Sequence, residues 1–151
     1  MDASCRSTDG AAERCPACDR DVVFELWDPG GDEPCPHCRR LLWFLQKCCS
    51  GVVVLTFRPG LMSGSEAMER VHEIQEAVAN SSRLVLNLSR MRLVSSMFLG
   101  MLVVLYRRTV MVEGVVKVCG LNSDTMGVFR NTKLDKIFDI YEDEPTALNS
   151  F

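Results

Sequence analysis

Two Cys-Pro-x-Cys pairs, Cys15/Cys18 and Cys35/Cys38, stand in the first forty residues with sixteen residues between them. Each pair puts two thiols on one tight knuckle, and two knuckles can close a tetrahedron around one ion. The interval falls in the C-x₂-C-x₁₅₋₂₀-C-x₂-C window that reads as a zinc site. Four reduced core thiols would not pair twice at knuckle spacing, and a redox C-x-x-C normally stands alone at a helix start. Structural zinc is therefore the expected occupant, with rubredoxin-like iron on the same four ligands as the alternative. A closed set of four cysteines leaves no open coordination position, so the site is expected to be structural. His37 lies inside the second knuckle and is expected to be an exposed knuckle residue.

The surrounding pattern is that of a small β module. After the first knuckle, Val22 to Trp27 reads as a strand and Asp28-Pro29-Gly30-Gly31-Asp32 as a turn. After the second, Leu41 to Leu45 reads as another strand. This layout predicts a zinc-ribbon-like module over residues 15–47, preceded by a loose polar tail over 1–14. So small a unit buries too little apolar surface to fold unaided, and the metal would supply the missing free energy.

Charge and composition narrow the function. Residues 1–47 hold nine acids and six bases, and residues 48–151 hold eleven of each. An acidic module is the wrong sign for reading nucleic acid, although Arg39-Arg40 leave that alternative standing. Met1 is followed by a polar stretch and not by an apolar leader, so thiols in a reducing cytoplasm are expected and a disulfide framework is not. The longest apolar run, Met97 to Tyr106, is too short to span a bilayer. Nucleotide, zinc-protease and serine-hydrolase motifs are all missing, and neither His37 nor His72 has an acid-base constellation. No enzyme is expected.

From residue 48 the pattern becomes that of a larger α/β domain. Val52 to Phe57, Arg83 to Leu88 and Val115 to Cys119 are β-rich apolar runs, and Lys136 to Tyr141 reads as extended. Arg58-Pro59-Gly60 breaks the first of them. Helices are predicted over Ser65 to Asn80, Ser96 to about Val112 and Ser123 to Asn131, the last capped by Ser123, with a final one after Pro145. Strands and helices alternate, which predicts a mixed or parallel sheet with helices packed on it.

Within this segment, Leu86-Asn87-Leu88-Ser89-Arg90-Met91-Arg92-Leu93-Val94-Ser95-Ser96-Met97-Phe98-Leu99-Gly100 is similar to the L-D-L-S-x-V-x-F-I-D-S-S-G-L-G signature of the STAS domain. Leu134 to Tyr141 is similar to that family's closing G-L-x-x-x-F-x-I-Y. The stretch from Gly51 to Leu148 thus resembles the fold of bacterial anti-sigma factor antagonists and of the cytoplasmic tails of sulfate transporters. The resemblance implies a STAS-like mixed sheet over residues 48–151 and a protein partner such as an anti-sigma factor. It also implies that Ser95, Ser96, Met97 and Phe98 lie at the partner-facing surface. In antagonists of this family the second serine of D-S-S-G is phosphorylated by an anti-sigma kinase; the ungapped register places Met97 there, Ser96 on the first serine and Phe98 on the glycine. The expected product is a non-enzymatic interaction module of bacterial signalling without the usual phosphoserine. The alternatives are a zinc-ribbon nucleic-acid-binding protein or a rubredoxin-like electron-transfer protein.

Overall fold

The structure, a computed structural model, describes residues 14, 15, 18, 20, 35, 37–39, 44–49, 51–57, 72, 74, 75, 78, 82–91 and 94–151. The strand expected at 22–27, the turn at 28–32, the break at 58–60 and most of the helix at 65–80 lie outside the described residues.

Five strands form one sheet in sequence order: β1 (Phe44–Cys49), β2 (Val52–Phe57), β3 (Arg83–Asn87), β4 (Val115–Cys119) and β5 (Asp139–Tyr141). β1 and β2 make an antiparallel hairpin over their full length, from Phe44 opposite Phe57 to Cys49 opposite Val52. The hairpin closes at Gly51, whose φ of +84° is the left-handed backbone that glycine adopts without cost. The remaining three pairings are parallel. All six residues of β2 are buried, as is expected of an unbroken apolar run covered on both faces.

Register sorts the side chains. Phe44, Val53, Leu55, Phe57, Leu84, Leu86, Val116 and Val118 share one face and its main core. Helix α1 (Ser96–Met111) packs there through Phe98, Met101, Leu102 and Leu105, the three-and-four spacing of one helical stripe. Helix α2 (Ser123–Asn131) adds Phe129, and Ile74 and Val78 add the expected earlier helix, of which His72, Ile74 and Gln75 are helical. The opposite face carries Val52, Val54, Val85 and Cys119 under Ala147 and Leu148 of α3 (Glu144–Asn149). On that same face the Lys117 ammonium donates to Ser150 Oγ at 2.5 Å and sits 4.1 Å from the Phe151 ring centre, which ties the last residues to the sheet.

Several boundaries differ from the sequence reading. The strand expected at Leu41–Leu45 continues through Cys49 and belongs to the large sheet, with residues 41–43 outside the described residues. The extended segment expected from Lys136 opens as a 3₁₀ turn at Leu134–Lys136, and only Asp139–Tyr141 is strand. The cap of α2 is Asn122, whose Oδ1 accepts from Thr125 N at 2.7 Å, and not Ser123.

Candidate functional site

The four knuckle cysteines converge. The Sγ atoms of Cys15, Cys18, Cys35 and Cys38 all lie within 4.8 Å of one another. The two cross-knuckle contacts, Cys15 to Cys38 and Cys18 to Cys35, are both 3.7 Å. A tetrahedron with Zn–S bonds of about 2.3 Å has edges of about 3.8 Å, so the two distances match a zinc-sized cage. The second knuckle is held by its own backbone. Arg39 N donates to Cys35 O at 2.8 Å, and Arg39 itself takes a left-handed φ of +64° to end the turn. His37 N points at Cys35 Sγ from 3.4 Å, and the His37 residue is exposed. Burial opposes ionisation of Cys35, yet backbone N–H groups of Cys38 and His37 and the neighbouring Cys18 and Cys38 thiols outweigh it and lower its pKa to about 6. A thiolate at neutral pH is the form that binds metal. These residues therefore fit a metal ion, with sulfur-only ligands that suit zinc or iron.

The cluster rests on the sheet. Cys15, Cys35 and Leu45 are fully buried and pack together, with Cys18 against them. Arg14 and Gln46 form an antiparallel bridge, Arg14 N to Gln46 O at 2.6 Å and Gln46 N to Arg14 O at 3.0 Å. Leu45 lies on the α3 face of β1, opposite Thr56, so the cysteines and α3 cover the same side of the sheet.

Further along that face is a chain of polar contacts that sequence reading missed. Lys47 of β1 pairs with Glu144 of α3. Glu144 Oε2 accepts from Asn87 Nδ2 at 2.9 Å, and Asn87 Oδ1 accepts from Ser89 N at 2.9 Å. Asn87 and Glu144 are 57 positions apart, and no local periodicity would have joined them. Cys119 is buried beside them; burial, then the charges of Glu144 and Asp143, push its thiol up to about 12. Cys48 is disulfide-bonded, which departs from the expectation of reduced thiols alone, whereas Cys18, Cys35, Cys38 and Cys119 carry free thiols.

The motif itself forms a turn and a helix start. Leu88 N donates to Cys119 O at 2.9 Å, and Met91 N to Leu88 O at 3.0 Å. The turn presses on Gly120, where a Cβ would come within 2.8 Å of Ser89 Cβ and φ is +76°, so only glycine fits. Ser95 is the N-cap of α1, its Oγ accepting from Phe98 N at 3.1 Å. Ser96 is exposed, and Met97 is 37% exposed. Phe98, expected at the same surface, is a core residue instead. It is 3% exposed and meets Phe57 edge-on with centroids 5.1 Å apart. The reason is helix geometry: about 100° separates consecutive residues, so Met97 and Phe98 point to different sides.

No helix among the described residues is long and apolar enough to cross a membrane. No curated protein matches the chain. Among solved structures, the chain is similar to an anti-sigma factor antagonist from Mycobacterium paratuberculosis, at 26% identity and a TM-score of 0.62, covering 71% of this chain and 91% of that one. It is similar in fold to an anti-sigma-factor antagonist (STAS) domain protein from Planctomyces limnophilus, at 19% identity and a TM-score of 0.63, covering 71% and 96%. It is also similar in fold to the anti-sigma factor antagonist SpoIIAA in its unphosphorylated form, at 16% identity and a TM-score of 0.59, covering 71% and 94%. The family model described as the STAS domain matches residues 48–147. With the mixed sheet, the helix that follows β3 and the serine-capped motif already in view, this chain belongs to the STAS domain family.

Proposed function

We propose that the chain is a non-enzymatic protein-interaction module of bacterial signalling, built like an anti-sigma factor antagonist but without its phosphoserine gate. The observation that carries this reading is Met97, 37% exposed on the first turn of α1 where the motif has its phosphorylated serine. A phosphate would bring nearly two negative charges to that surface, enough to break an interface. Methionine has no hydroxyl to receive it. Ser95 is engaged as the helix cap, and Ser96 lies about 100° away around the axis. An anti-sigma factor or related signalling protein then docks on Ser95, Ser96 and Met97, over a helix start anchored from beneath by Phe98, and stays docked irrespective of kinase activity. Incubation with ATP and anti-sigma kinases followed by mass spectrometry tests this. No phosphate is expected on the native chain, and Met97→Ser should accept it; stoichiometric phosphate on Ser95 or Ser96 of the native chain overturns the reading.

The same reading gives Cys15, Cys18, Cys35 and Cys38 one structural zinc, holding a module over 15–47 against a domain over 48–151. A cytoplasmic location goes with this reading, and the disulfide at Cys48 counts against it. Elemental analysis should find one zinc per chain in a colourless protein. Iron with visible absorbance would make the centre rubredoxin-like instead.

A further inference from the structure

On the α3 face, polar contacts run from Lys47 of β1 to the turn before the motif. At one end is the cysteine cluster, which covers Leu45 and brings Arg14 onto Gln46. The next residue of β1 is Lys47, which holds Glu144. Glu144 holds Asn87, and Asn87 holds the N–H of Ser89 in the turn that leads to the motif. The turn is itself clamped. Asn122 Nδ2 donates to Met91 O at 3.2 Å, and the Gly120 backbone packs closely against Ser89, where a Cβ would lie 2.8 Å from Ser89 Cβ. Lys47 and Glu144 are 13% and 17% exposed, and Asn87 is 8% exposed, so these polar groups are poorly screened by water.

We propose that metal loading of the four-cysteine centre sets the rigidity of the partner-facing motif, through β1 and the contacts Lys47–Glu144–Asn87–Ser89. The inference rests on the zinc reading above. Its two-state element is the cluster of four thiols, drawn together over Leu45 with metal and free to part from it without. Release removes the cover of Leu45 and the Arg14 bridge, the two contacts that immediately precede Lys47 on its strand. Lys47 then gains water and freedom, and its hold on Glu144 weakens. Glu144 and Asn87 in turn hold the Ser89 turn less firmly. Lys47 is the positioning residue on this route. Coupling is reciprocal, so a partner that orders the motif also tightens metal binding.

Hydrogen exchange on the full chain tests the route, comparing the zinc-loaded form with the form stripped by a chelator. Peptides spanning 44–49 and 88–97 are followed in the native chain, in Lys47→Met and in Lys47→Arg. Stripping should speed exchange in 88–97 by at least about fivefold in the native chain, the lower end of usual coupling. Lys47→Met should bind zinc with 88–97 already fast and indifferent to stripping. Lys47→Arg, which keeps the cation, should restore the response. One zinc per chain with exchange in 88–97 unmoved by stripping overturns the inference and leaves the zinc reading intact. So does a Lys47→Met chain that responds like the native one. A chain that elemental analysis shows to bind no zinc overturns both.

Discussion

Leu45 lies beneath the cysteines, and truncating it measures how far the metal centre leans on the sheet. The side chain is fully buried, packed against Cys15, Cys35 and Cys18 on the α3 face of β1. Leu→Ala in a packed site costs about 2–5 kcal/mol. How that cost divides between metal-bound and metal-free chains decides what is seen. On the zinc reading proposed above, the cysteines part from Leu45 in the metal-free chain, so its truncation removes little there. The difference therefore appears as weakened metal binding. Taking the low end, about 2 kcal/mol, because half-exposed Cys18 forms part of the wall, the zinc Kd should rise ~30-fold. The assay is competition against a chromophoric chelator on the full chain, with Leu55→Ala as control. Leu55 is equally buried but on the opposite face, in the main core. Leu55→Ala should lower overall stability and leave the zinc Kd alone. If Leu45→Ala binds zinc within about twofold of the native chain, the scatter expected of independent sites, the centre does not rest on β1 and the argument fails.

Two further outcomes follow from single groups. Cys119, pushed up to about 12 by burial and by Glu144 and Asp143, should resist alkylation in the native protein at pH 8 and react only on unfolding. The same shift has a sign. Its folded pKa lies above the unfolded value near 9.0, so the stability it contributes is whole below that value and is lost as pH rises from about 9 toward 12; denaturation midpoints measured across that window check it. Ser95→Ala should cost about 1 kcal/mol in chemical denaturation because Phe98 N loses its acceptor, whereas exposed Ser96→Ala should stay within about 0.5 kcal/mol. Equal effects would mean that the cap is not at Ser95.

The parts legible in the sequence are those fixed by local pattern. β2, β3 and β4 announce themselves as apolar runs because both faces of the sheet are covered. The four cysteines announce themselves because ligand spacing is a local constraint. What was not legible depends on pairing. Leu41 to Leu45 is the more apolar run, but the strand extends through Lys47 and Cys48 because β2 supplies six partners opposite it. In α1, apolar residues occur almost all round the helix, so sequence alone did not tell exposed Met97 from buried Phe98; only docking against Phe57 decides it. Asn122 and Ser123 are both cap formers, and a one-residue shift of the helix start selects between them. The Lys47–Glu144–Asn87 contacts join β1, α3 and β3, and exist only once all three are in place.

The position of β1 bears on what the four-cysteine cluster does for the sheet. A sheet in the order β1-β2-β3-β4-β5 has two edges, and exposed edges invite pairing with other chains. β5 is only three residues long and opens with exposed Asp139, which limits what it can template. β1 is six residues long and pairs with β2 over its full length, so among the described residues it is the longer edge. There the N–H and C=O of Gln46 both bond to Arg14, directly before Cys15 of the four-cysteine cluster. The segment that carries the cysteines thus places backbone on that edge. Residue 48, where the family match begins, falls inside β1, with Phe44 of the same strand already in the main core. β1 thus meets the cysteine cluster through Leu45 and the main core through Phe44.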